Sequence, residues 1–173
     1  MLNKISPRAI FGAMTLICIG LLATAYQLQY GPQHQQPCPY CILQRYAYMA
    51  IALVSLLAAI HGPQRIGAIL YAAANALCSV VGLAFAGLQL GKSGLSESCL
   101  ADPVGDFVNN LPSANWWPEY LFATGGCGSK FPPILGLSVP VWSLVWFTVF
   151  AILSMLFLAK ALRYGPFGKY YKN

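Results

Sequence analysis

The sequence predicts an all-α membrane protein, a four-transmembrane-helix bundle with a long non-cytoplasmic loop carrying a short interfacial helix. Three observations predict it. Of the 173 residues, 58% are hydrophobic and only 8% are charged, whereas a soluble domain carries about a quarter charged residues. Four apolar runs are each long enough to cross ~30 Å of hydrocarbon, which takes about 20 helical residues. Most of the basic residues collect at one set of run ends, while all four acidic residues lie at the other with only Lys92 and Lys130 against them, the asymmetry that orients membrane helices. A single membrane domain over residues 1–173 is expected.

The first run covers residues 9–30, after Lys4 and Arg8. Ala23-Thr24-Ala25 also resembles the end of a cleavable signal peptide. An uncleaved helix is preferred, because the apolar stretch is long and continues through Tyr26, Leu28 and Tyr30. Cleavage would leave three helices and the same sidedness. The second run spans 41–60 and the third 66–90, joined by the short turn His61-Gly62-Pro63-Gln64-Arg65, so the two are antiparallel neighbours. The fourth spans 139–162. Irregular backbone cannot face lipid, so all four are helices.

Lys4, Arg8, Arg65, Lys160, Arg163, Lys169 and Lys172 mark the cytoplasmic ends. The loops 31–40 and 91–138 lie on the other side, and all four acidic residues (Glu97, Asp102, Asp106 and Glu119) fall in the longer one. Within it, Val104, Phe107, Val108, Leu111, Trp116, Trp117, Tyr120, Leu121 and Phe122 are interrupted by Pro103, Pro112 and Pro118. This pattern fits a short helix or turn in the headgroup layer, or equally a loop packed on the helix ends. A net charge of +6 on so few, scattered side chains makes no groove for nucleic acid.

Six cysteines point to an oxidising compartment. Cys18 and Cys78 lie inside apolar runs and read as packing residues. Cys38, Cys41, Cys99 and Cys127 lie outside or at the edges of the runs, on the non-cytoplasmic side. Cys38-Pro39-Tyr40-Cys41 stands where a loop enters the second helix. Its second thiol meets the positive end of the helix, with Arg45 one turn on, and both favour a thiolate. A structural disulfide is the plainer alternative.

Cys38 with Cys41, and Cys99 with Cys127, make a helix-anchored pair and a loop pair. Together they permit a thiol relay, one pair exchanging with a protein and the other with an electron acceptor. Gly125-Gly126-Cys127-Gly128 offers mobility to the loop pair, with Gly91 and Gly94 flanking the approach to Cys99; glycines in turns are the alternative. Arg45 is a charge on an apolar helix, which marks a functional position unless it only snorkels to the interface. It is placed to donate to a quinone oxygen, with Gln44 as a further polar group nearby. His34 is a candidate proton shuttle, or simply a solvated loop histidine.

These features resemble the DsbB family of inner-membrane protein-disulfide–quinone oxidoreductases. The resemblance rests on Cys38 to Arg45 as Cys-Pro-Tyr-Cys-Ile-Leu-Gln-Arg, on Cys99, on Phe122-Ala123-Thr124-Gly125-Gly126-Cys127, and on Leu135-Gly136-Leu137-Ser138-Val139-Pro140-Val141-Trp142. It implies a bacterial inner-membrane enzyme with periplasmic cysteines that reoxidises a periplasmic DsbA-type thiol oxidase. The electrons would pass to ubiquinone or menaquinone in the lipid bilayer, and so to the respiratory chain. It further implies that Cys99 is attacked by the partner thiolate, that Cys127 then engages Cys38, and that Cys41 is freed to react with the quinone held by Arg45. The chain departs from the family at Gln44, often acidic there, and in lacking a histidine within 89–96.

Three rivals are set against this. Glutaredoxins share the tetrapeptide but are soluble βαβ proteins. A vitamin K epoxide reductase-like enzyme would place its quinone-proximal dithiol late in the bundle, not at the second helix. A non-enzymatic metal-binding sensor or assembly subunit would need closely paired ligands, and Cys99 and Cys127 are widely split; no metal ligand is assigned.

Overall fold

The computed structural model describes residues 6–32, 34–62, 65–92, 103–126 and 134–163. Seven helices follow one another among them: α1 (Pro7–Tyr30), α2 (Pro39–His61), α3 (Arg65–Lys92), α4 (Pro103–Asn109), α5 (Pro112–Trp116), α6 (Pro118–Leu121) and α7 (Val139–Arg163). Four of these, α1, α2, α3 and α7, are long and apolar enough to cross a membrane.

α1 and α2 each start two residues earlier than hydropathy alone predicts, because a capped proline turn precedes the apolar run. Ser6 accepts from the Ala9 amide ahead of Pro7, and Cys38 caps α2 ahead of Pro39. Proline suits the first helical position, where its missing N–H has no partner to lose. α2 stops at Gly62, which takes a left-handed conformation (φ 55°) and returns its N–H to the Ala58 carbonyl. Arg8 packs against Gly62, so a side chain there would displace the guanidinium.

α2 packs on α1 and α3, and α3 packs on α7. Close approach of α3 and α7 depends on Gly82, where a Cβ would overlap the Phe147 ring. Small residues bring membrane helices together because lipid supplies no hydrophobic drive between them. The core holds Phe11, Met14, Cys18, Tyr48, Ile51, Phe147 and Phe150. Tyr48 stacks on Phe147 with centroids 4.2 Å apart. Cys18 is fully buried here and Cys78 packs at its edge, as expected of packing thiols. α1 and α7 meet at one end through Phe11 and Phe157, 5.6 Å between centroids. Toward the other end, residues of α1, α2, α3 and α7 line a cleft.

The loop segment 103–122, expected to hold one short helix or turn, holds three. Each begins at one of the three prolines, so the same residues that interrupt the pattern set its helix starts. These helices form a cap rather than a free interfacial strip. Val108, Tyr120, Leu121 and Ala123 bury against Ile42 of α2, while Phe107, Trp116 and Trp117 stay exposed. The two readings of the aromatic cluster thus divide it between them: one face packs on the helix ends, the other presents rings outward.

Candidate functional site

Cys38 and Cys41 come together at the first turn of α2. Their sulfurs are 2.7 Å apart as free thiols, so joining them at ~2.05 Å needs little movement. The Cys38 sulfur doubles as the helix N-cap and accepts from the Cys41 amide at 3.2 Å. Cys38 is fully buried against Phe85 and Val104. Its thiol is pushed above the ordinary range, first by the hydrogen bond to the Cys41 sulfur and then by burial.

Cys41 lies on the wall of the cleft between α1 and α7, a cavity of about 210 Å³. Leu21, Leu22, Leu28, Ile134 and Trp146 make it apolar; Gln29, Gln44, Arg45 and Gln89 supply the polar edge. Such a site suits a flat, apolar ring with polar oxygens at its rim. Its mouth is shaped by a tight turn in which Ile134 and Leu137 exchange backbone hydrogen bonds across Leu135 (φ 52°) and Gly136 (φ 82°). Trp142 Nε1 holds that turn by donating to the Ile134 carbonyl at 2.9 Å.

Arg45 is buried, with 6% of its surface exposed. It reaches protein partners rather than extending past them to the interface. Nη1 donates to Gln29 Oε1 at 2.8 Å and to the Tyr120 carbonyl at 2.6 Å, and the guanidinium lies 4.6 Å over the Tyr120 ring. Nη2 makes only a 3.5 Å contact with the Ala25 carbonyl. All these partners are neutral, and among the described residues no carboxylate pairs with the guanidinium, so its charge favours an anion in the cleft. The same contacts pin the cap: Gln29 Nε2 and the Tyr30 hydroxyl both donate to the Glu119 carbonyl, at 2.7 and 2.6 Å.

Gln44 lines the cleft and donates to Gln89 Oε1 at 2.6 Å. Gln89 Nε2 in turn donates to the Cys41 sulfur at 3.1 Å. The sequence offered a signal for Gln89, a primary amide inside an apolar helix, but only the fold places it on the thiol. Gln29 and Tyr120 were equally hidden as partners of Arg45. His34 is exposed and lies off the cleft.

Cys99, Cys127, Gly94 and Gly128 lie outside the described residues. The chain leading toward Cys127 is nevertheless held in place. Asn109 clips Ala123, its Oδ1 accepting from the Ala123 amide at 2.8 Å and its Nδ2 donating to the carbonyl at 3.1 Å. The Thr124 and Gly125 amides both donate to the Pro37 carbonyl, at 3.1 and 3.0 Å. A Cβ on Gly125 would overlap the Gln36 carbonyl. Gly125 thus serves close backbone approach, not the mobility expected of it, and Gly91 lies within α3.

An all-α, four-span membrane protein with an apposed dithiol at the edge of an apolar cleft defines a membrane-embedded thiol-redox protein. The pattern of the family described as "Disulfide bond formation protein DsbB" matches residues 7–157, and the chain belongs to that family. Its relatives include proteins named Disulfide bond formation protein B from Ralstonia nicotianae, 36% identical over 85% of this chain and 91% of the relative. Those from Nitrosomonas europaea and Marinobacter nauticus are 38% and 36% identical, covering 86% and 93% of this chain and 92% and 96% of theirs.

Proposed function

We propose that this membrane thiol oxidase takes two electrons and two protons from the dithiol of a periplasmic DsbA-type oxidase and delivers them to a membrane quinone, ubiquinone or menaquinone. The role in disulfide formation and the oxidoreductase class follow from the family. The family match does not favour the vitamin K epoxide reductase-like or metal-sensor readings. The observation that carries the quinone reading is Cys41 on the wall of an apolar cleft whose rim holds the Arg45 guanidinium. A bound quinone supplies a two-electron, two-proton acceptor, and Arg45 and Gln29 are the groups that would orient its oxygens.

In this reading Cys99 takes the partner's thiolate and Cys127 is released to attack Cys38. The S–S bond to Cys38 forms as the bond between Cys38 and Cys41 breaks, and the electron pair leaves on Cys41. Two features support that direction. Cys38 faces the cap and is absent from the cleft lining, and Gly125, two residues before Cys127 in the sequence, bonds to Pro37, the residue that precedes Cys38. The single membrane domain would sit in the inner membrane with both termini cytoplasmic and the cap periplasmic, as the basic residues suggest.

The test uses sealed membrane vesicles of defined orientation carrying the protein. Right-side-out vesicles supplied with quinone are expected to reoxidise a reduced DsbA-type protein added outside, and inverted vesicles are not. Reoxidation from inverted vesicles alone, or a rate indifferent to quinone, would overturn the proposal.

Gly125→Ala separates the relay from the acceptor site. It forces the backbone away from Gln36 and weakens two hydrogen bonds to Pro37, each worth about 1 kcal/mol. Turnover is expected to fall about tenfold, while reduced Cys41 still reacts with quinone at the parent rate in a single turnover. Equal turnover in the two proteins, read by the same stopped-flow assay, would remove any role for this approach.

A further inference from the structure

We propose that Gln89 is a catalytic residue of the dithiol site, its side-chain amide donating to the Cys41 sulfur as that sulfur leaves as a thiolate. Gln44 is the positioning residue that fixes which end of the Gln89 amide faces it. The inference deepens the relay reading above and rests on it for the identity of the leaving sulfur.

A primary amide has one donor end and one acceptor end of nearly equal shape. Gln89 alone could turn either toward Cys41. In the structure the Gln44 NH2 occupies Gln89 Oε1 at 2.6 Å, and the Gln89 NH2 lies on the sulfur at 3.1 Å. Both glutamines are buried, with 4% and 2% of their surface exposed. Burying two amides among apolar helices is unfavourable unless they bond to one another, so the arrangement is held by its own desolvation. The two residues come from different helices, α2 and α3, whose packing sets the donor's aim before any charge develops.

The chemistry gives this donor a direction. In the disulfide, the Cys41 sulfur is a weak, neutral acceptor. When a thiolate attacks Cys38, the new S–S bond forms at Cys38 and the old one breaks. The electron pair then moves onto Cys41, and a hydrogen bond to that anion is stronger than one to the neutral sulfur. Gln89 therefore acts on the departing thiolate more than on the starting disulfide, which is what accelerates exchange. The amide remains beside the reduced sulfur afterwards and keeps it reactive toward an acceptor in the cleft.

Reduced full-length protein in lipid nanodiscs tests this without quinone or a partner. The rate of iodoacetamide addition to Cys41 is read by mass spectrometry across pH 7 to 10, with thermal unfolding of each variant measured alongside. Gln89→Met is expected to slow addition about tenfold at pH 7 and to match the parent at pH 10, where the thiol ionises without help. Gln89→Glu, near in shape, is expected to be slower still at pH 7, since its carboxylate opposes the thiolate. Gln44→Met should lose part of the rate, because Gln89 is then free to turn. If Gln89→Met does not fold, Gln89→Glu carries the same comparison. A pH 7 rate within twofold of the parent in the folded variant, or an equal loss at both pH values, would overturn the assignment. A parent protein that shows the Gln89 effect yet never reoxidises a DsbA-type protein would instead sink the relay alone.

Discussion

Cys41→Ser is expected to abolish turnover, lowering it on the order of 10⁴-fold or more, as loss of a nucleophile that acts within a unit does. A hydroxyl at that position can still sit at the helix start and near Gln89, so the fold should persist. It cannot form the disulfide or carry the electron pair. Cys18→Ala and Cys78→Ala provide the contrast. Cys18 is sealed in the bundle core and Cys78 packs at its border, so both should keep turnover within about twofold and cost about 1 kcal/mol of stability. Steady-state reoxidation of a DsbA-type protein, measured on the three variants at matched protein levels, checks this. If Cys78→Ala were as damaging as Cys41→Ser, the division into packing and redox thiols would be wrong.

Arg45→Met is the second large effect, and the structure gives it two separable parts. Methionine keeps much of the apolar stem but removes the bonds to Gln29 and to the Tyr120 carbonyl, together with the cation over the Tyr120 ring. The Tyr120 carbonyl and the Gln29 amide oxygen lose their charged donor, so loosening of the cap by about 2 kcal/mol is expected. The cleft also loses its positive charge. Quinone-dependent turnover should fall about 100-fold, the scale seen when one donor to a developing oxyanion is removed. Arg45→Lys should recover part of the charge effect but less of the cap, because a single ammonium cannot reproduce the planar fork of donors. Stopped-flow quinone reduction reads the first part and hydrogen exchange at 118–122 reads the second. Unchanged quinone kinetics in Arg45→Met would leave this residue as an anchor of the cap only.

The features legible in the sequence are those governed by local composition. Four helices, their limits to within a few residues, and the dithiol at the start of α2 follow from hydropathy, proline and the spacing of Cys38 and Cys41. The basic residues add an expected orientation. The cap was legible only as an aromatic segment cut by prolines, because its division into three short helices depends on what each buries. Gly125 misled for a similar reason. Glycine is compatible with both freedom and crowding, and the backbone at Gln36, nearly ninety residues earlier in the chain, decides between them.

What the sequence by itself determined is the class of the molecule and the place of one cysteine pair at a helix start: lipid solvates an apolar helix wherever it occurs, and a helix start polarises the cysteine placed there. Only the tertiary structure decided what surrounds those thiols. The cleft exists because packing brings α1, α2, α3 and α7 around one space, and Gln89 reaches Cys41 because of how α3 packs against α2. Arg45 meets Tyr120 because the cap folds back over the bundle. Helix rotation and crossing are set by side chains fitting together across helices, and residues 48 or 75 positions apart leave no local trace of that fit.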